Sequence, residues 1–132
     1  MARMSVRERA IFLCLILAQA AHSIEEYINR LYEVLGPARF VSGLFSNNLA
    51  AGFLMANAAL VAFGLWCWIV PVRAGWPTAC GLAWFWAILE LGNGIGHIGL
   101  ALSRMDYFPG LLTAPLLLIF AGCLAGLEIK RA

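Results

Sequence analysis

The chain has 132 residues, 63% of them hydrophobic and only 12% charged, with a net charge of +2. Soluble domains carry about a quarter charged residues, so this chain cannot coat a water-facing surface, and so small a charge argues against a nucleic-acid partner. The composition predicts a single integral membrane domain over 1–132, all-α because lipid leaves open backbone groups unsatisfied.

The first apolar run covers about 10–31 and carries His22-Ser23-Ile24-Glu25-Glu26 inside it. Its basic flank and Ala18-Gln19-Ala20 also resemble a signal peptide with a cleavage site, a rival to the spanning reading. The second run covers about 45–70 and is clearest from Leu49 to Val70; the third covers 77–102 and the fourth 109–127. Each meets the ~20 residues that a ~30 Å hydrocarbon core requires. The turns read as LGPAR, PVRAGWP and SRMDYFPG, short enough to make neighbouring helices antiparallel. The expected fold is therefore a polytopic four-transmembrane-helix bundle. Arg3, Arg7, Arg9, Arg73, Lys130 and Arg131 fall on one side of it, and Arg30, Arg39 and Arg104 on the other. By the positive-inside rule both termini are cytoplasmic.

Ionisable residues inside spans are costly and point to function. Glu90, Asn93 and His97 of the third span fall on one narrow helical stripe. In the first span Glu25 and Glu26 flank the face of His22. Counted from Arg9 and from Pro77, His22 and Glu90 are both ~20 Å along parallel helices, with Glu26 nearer the level of Asn93 and His97. Asn47, Asn48 and Asn57 add polar groups from the second span. The plain alternative is hydrogen bonding between helices, or Glu25 and Glu26 lying in water at the outer surface. Three clustered carboxylates cannot all stay charged in low dielectric without cations or protons.

A divalent metal is one compensation. His and carboxylate ligands suit zinc or iron, and the residue types nominate His22, Glu26 and His97, with Glu25 in reach. Asn93 would orient a ligand or substrate, and Glu90 would act as general base or second-site ligand. Glu25, Glu90, Asn93 and Tyr107 are the candidate catalytic residues. Metal-assisted hydrolysis of a lipophilic substrate is the first reading. The second is a metal-free isomerase or cyclase of a lipid or isoprenoid, using Glu and His as acid and base. The third is not an enzyme but a carrier, ion pathway or lipid-binding module.

Three motifs stand in order: His22-Ser23-Ile24-Glu25-Glu26, Asn93-Gly94-Ile95-Gly96-His97 and Tyr107-Phe108-Pro109-Gly110. In these the chain resembles the integral membrane family named for its HxxEE signature, whose pattern continues with an Asn-x-x-x-His-like element and YxPG. The resemblance implies a multi-helix membrane protein of largely unassigned function, and by extension a bacterial inner membrane. In site chemistry alone the chain is similar to sterol-isomerase-like bundles, an analogy without a shared motif. YFPG also reads structurally: Pro109 starts a helix, Gly110 turns the chain and Tyr107 anchors at the interface.

Gly94-Ile95-Gly96-His97-Ile98-Gly99 matches G-x-G-x-x-G, but with no strand before it a dinucleotide site is rejected. Gly92/Gly96 and Gly122/Gly126 form GxxxG pairs that suggest close helix packing, including a homo-oligomer. Cys14, Cys67, Cys80 and Cys123 lack CxxC spacing and read as buried small residues. The five tryptophans suggest an interfacial belt and core filling.

Overall fold

Ser5 opens the first helix. Its side chain accepts from the Glu8 N–H while Glu8 returns to the Ser5 N–H, a reciprocal cap. From there α1 runs over Val6–Ile28 and stops where Arg30 takes a left-handed conformation, φ 56°. The computed structural model describes residues 3–131, which are helical with no strand among them. Two short helices follow, α2 (Leu31–Val34) and α3 (Gly36–Phe45), then α4 (Leu49–Cys67), which Asn48 caps through the Ala51 N–H. A π-helical turn at Trp68–Val72 around Pro71 prolongs α4. The long α5 (Ala79–Arg104) ends on a left-handed Met105, and α6 (Ala114–Arg131) closes the fold.

Three of these helices are long and apolar enough to cross a membrane: α1, α4 with its π turn (Leu49–Val72), and α5. Large apolar side chains such as Ile24, Leu54 and Ile95 stand exposed on their outer faces, as Ile119 does on α6, which suits a lipid solvent rather than water. The sixth helix is apolar up to Leu127 and carries Glu128, Lys130 and Arg131 at its end.

Two expected connections differ. The turn before the last helix runs on to Thr113, so Pro109 sits within it and α6 begins at Ala114 rather than at about 109. The stretch read as a short turn at LGPAR holds α2 and α3 before α4 begins at Leu49. No 20-residue apolar run marked them, and Gly36 and Pro37 read as turn residues, although Pro also suits a helix start, as it does here. In α3, Phe40, Val41, Leu44 and Phe45 are exposed, while Ser42 is buried against α4. The contact is backbone to backbone: a Cβ on Gly52 would lie 2.0 Å from the Ser42 carbonyl oxygen.

Helix α1 packs on α4 and α6, and α5 packs on α6. Gly94 lets α5 approach Leu118 and the Ala114 carbonyl of α6. The GxxxG glycines Gly92, Gly96, Gly122 and Gly126 face open space instead, so they pack no helix of this chain. Toward the end that carries the termini, an apolar cluster of Phe12, Leu15, Ile16, Cys67, Trp86 and Leu124 fills the bundle. Toward the other end, Leu31, Tyr32, Phe53, Ala101 and Phe108 form a second cluster. Between the two lie His22, Gln19, Ser23, Glu26, Glu90 and His97, all buried.

Candidate functional site

His22 and Glu26 are one helical turn apart on α1, and α5 carries His97 across to them. His22 Nε2 lies 3.2 Å and His97 Nε2 3.0 Å from the same oxygen, Glu26 Oε1. The imidazoles meet edge to face with centroids 4.6 Å apart. One donor atom from each of the three residues lies within 4.8 Å of the others. His22 is fully buried, and Glu26 and His97 are each 5% exposed.

The proton positions follow from the partners. His97 Nδ1 lies 2.6 Å from the Pro109 carbonyl oxygen, which only accepts, so Nδ1 carries the hydrogen. His22 Nδ1 lies 2.6 Å from Thr113 Oγ1. That hydroxyl gives its hydrogen to Glu25 Oε2 at 2.5 Å, so His22 Nδ1 donates to it. Both rings therefore turn Nε2 toward the same carboxylate oxygen, as a bare lone pair in a neutral ring and as an N–H in a protonated one. His22 Nε2, though close to Glu26, has no hydrogen-bond partner. Three lone-pair donors facing one another repel unless a cation or protons sit among them. Ligand atoms at 2.0–2.2 Å from a tetrahedral zinc are about 3.3–3.6 Å apart, near the two His–Glu distances of 3.2 and 3.0 Å. Metal-bound histidines also habitually donate their second N–H to a carbonyl or a carboxylate relay.

Glu25 points elsewhere. Its carboxylate accepts from the Tyr107 hydroxyl (2.5 Å), the Leu112 N–H (3.0 Å), the Thr113 N–H (2.9 Å) and the Thr113 hydroxyl. It stands outside the convergent group and ties the start of α6 to α1, holding Thr113 against His22. Tyr107 is likewise outside, a donor to Glu25. Burial and the Glu25 carboxylate push its pKa up to about 12. The YFPG loop thus crosses over the two imidazoles. A Cβ on Gly110, whose φ is +96°, would lie 2.5 Å from His97 Nδ1 and 2.7 Å from His22 Cε1, so glycine suits this position on both counts.

Glu90 and Asn93 form a second polar group. Asn93 Nδ2 donates to Glu90 Oε2 at 3.2 Å, and both meet Gln19 of α1. His22 is thus not level with Glu90: the residue opposite Glu90 is Gln19, about one turn earlier. The reason is the helix starts. Helix α1 begins at Val6, before Arg9, and α5 at Ala79, after Pro77.

A groove of about 690 Å³ opens between α4 and α5. Phe63 of α4 meets Phe85 of α5 edge to face and Trp86 at a tilt, and beyond this contact the walls are Phe53, Ala56, Leu60, Ile88 and Leu89. Gln19, Glu26, Asn57, Asn93 and His97 supply its polar surface, and Pro37, Ala38 and Val41 of α3 border it. An apolar groove with a few convergent polar groups is the usual form of a small-molecule site. Gln19, Ser23 and Thr113 were not among the expected site residues. Gln19 was the one polar side chain in its run and lies on the His22 face, a signal that could have found it.

A family model described as "Protein of unknown function with HXXEE motif" matches residues 13–125, most of the chain. No curated protein and no solved structure matches.

Proposed function

Because this chain belongs to the HXXEE family, whose function is unknown, we propose a role from its own geometry: a small membrane-embedded, metal-dependent hydrolase for a lipophilic substrate. The observation that carries the reading is the pair of histidines whose Nδ1 atoms are both committed as donors, which leaves both Nε2 atoms and Glu26 Oε1 to a shared cation. Two His and one Glu suit zinc or iron and leave a coordination position open. A metal there would supply Lewis acidity and a water activated at neutral pH. His22, Glu26 and His97 hold it, Glu25 and Thr113 orient His22, and the groove admits a lipid chain from the bilayer. In this reading α6 is a fourth span and both termini are cytoplasmic, in a bacterial inner membrane.

The test is metal content of purified protein, by mass spectrometry of the digested sample. Near-stoichiometric zinc or iron is expected in wild type and its loss in His22→Ala, Glu26→Gln and His97→Ala. Glu25→Gln should bind with affinity reduced about 10–100-fold. Folded wild type that takes up no ion on reconstitution would move the reading to metal-free acid–base chemistry. Chelator-sensitive cleavage of a lipophilic acyl reporter would supply the activity.

A further inference from the structure

Glu90 is fully buried and outside the His22–Glu26–His97 group. A chain of side chains leads from it. The facing amide atom of Gln19 lies 2.8 Å from Glu90 Oε2. Gln19 meets Ser23 Oγ at 3.0 Å, Ser23 Oγ meets Asn57 Oδ1 at 2.7 Å, and Asn57 Nδ2 meets the Phe53 carbonyl oxygen at 3.0 Å.

The far end of the chain sets its direction. A carbonyl only accepts, so Asn57 gives Nδ2 to Phe53 and turns Oδ1 to Ser23. Ser23 has one hydrogen, and Asn57 Oδ1 takes it. Gln19 must then give its N–H to Ser23, which leaves Gln19 Oε1 facing Glu90. Two oxygens at that distance need a hydrogen between them, and only a protonated Glu90 has one to give. The reverse amide orientation sets Nε2 toward an ionised Glu90. It leaves Gln19 Oε1 and Asn57 Oδ1 competing for the single Ser23 hydrogen in a buried layer, where an unmade bond is costly.

We propose that Glu90 is a neutral carboxylic acid that donates to Gln19 and so positions the polar floor of the groove, and that this floor selects lipids bearing a secondary amide. With the chain so directed, Asn57 keeps one N–H unused. Asn93 spends its Nδ2 on Glu90 and Gln19, and among the described residues no donor reaches its Oδ1. Both residues line the groove beside Glu26 and His97. An unused donor and an unused acceptor complement the C=O and N–H of an amide. An ester has no N–H and leaves the Asn93 acceptor unpaired. The selectivity deepens the hydrolase reading and rests on it for the groove being the substrate site; the Glu90 proton rests on hydrogen-bond counting alone.

Two measurements test the proposal. In an infrared difference spectrum of wild type against Glu90→Gln, the carboxylic-acid carbonyl band is expected to be lost; a difference confined to carboxylate bands overturns the proton. In equilibrium binding without turnover, the probes are N-(2-hydroxyethyl)dodecanamide and 2-hydroxyethyl dodecanoate, which differ only in N–H against O. Wild type should bind the amide at least about tenfold tighter. Asn93→Leu should lose that preference. Glu90→Gln, whose own amide can donate to Gln19, should rescue the preference that Glu90→Ala loses. Equal affinities in wild type overturn the selectivity, and if Glu90→Ala does not fold, Asn93→Leu and Glu90→Gln decide. Protein that prefers the amide but cleaves neither probe ends the hydrolase reading and leaves this one standing.

Discussion

Tyr107 is held as a neutral donor to Glu25, which links the YFPG loop to the HSIEE turn. Its pKa is raised from 10.0 to about 12, with burial the largest cause and the Glu25 carboxylate next. Between those two values the native chain keeps a proton that the unfolded chain has lost, so stability falls as pH rises through the window. Below it the contribution is fully present. Tyr107→Phe should therefore be less stable than wild type at neutral pH, with the gap narrowing from pH 10 toward 12 in denaturant titrations. A gap that stays constant with pH would assign the tyrosine to packing alone.

The α3–α4 contact shows what an unmarked element can do. Long apolar runs announced α1, α4 and α5, because a span must be apolar over its whole length, and a shorter run announced α6. The ten residues of α3 carry no such signature, and their place against α4 depends on the missing side chain at Gly52. Gly52→Ala should push α3 away from α4 and open the groove that α3 borders. A loss of about 2 kcal/mol is expected, in the range of overpacked contacts. Gly122→Ala faces open space and should be neutral or slightly stabilising, since alanine favours helix. Thermal unfolding of the two variants side by side measures the difference, and equal melting would remove α3 from the packed fold.

Across the whole molecule, the buried carboxylate and imidazole side chains of the described residues fall in a central layer (His22, Glu26, Glu90 and His97) and at the end carrying the termini (Glu8 and Glu128). At that end Arg131 of α6 sits between two buried carboxylates, Glu8 of α1 at 3.3 Å and Glu128 of its own helix. It joins the first and last helices where the apolar cluster ends. Arg131→Met would leave two buried carboxylates without their cation. The expected cost is ~3 kcal/mol, as for breaking other buried ion pairs by removing one partner. Unfolding in detergent tests this. Metal content of the folded variant should match wild type, because the proposed metal ligands lie in the other layer.

Composition and apolar runs by themselves determined that this is a helical membrane-type chain and where its long helices lie, and the polar motifs placed His22, Glu26 and His97 in one candidate group with Glu25, Glu90 and Asn93. Those properties follow from local chemistry: solvent dictates hydrophobic length, and helical spacing dictates which side chains share a face. Only the tertiary structure decided the roles within the set. It took Glu25 out of the cluster and made it an anchor for Thr113, placed Gln19 rather than His22 opposite Glu90, and laid Gly110 over both imidazoles. Each of these depends on helix offset and on the path of a loop, which shift by a turn with the residue at which each helix begins. No periodicity within one helix records that offset.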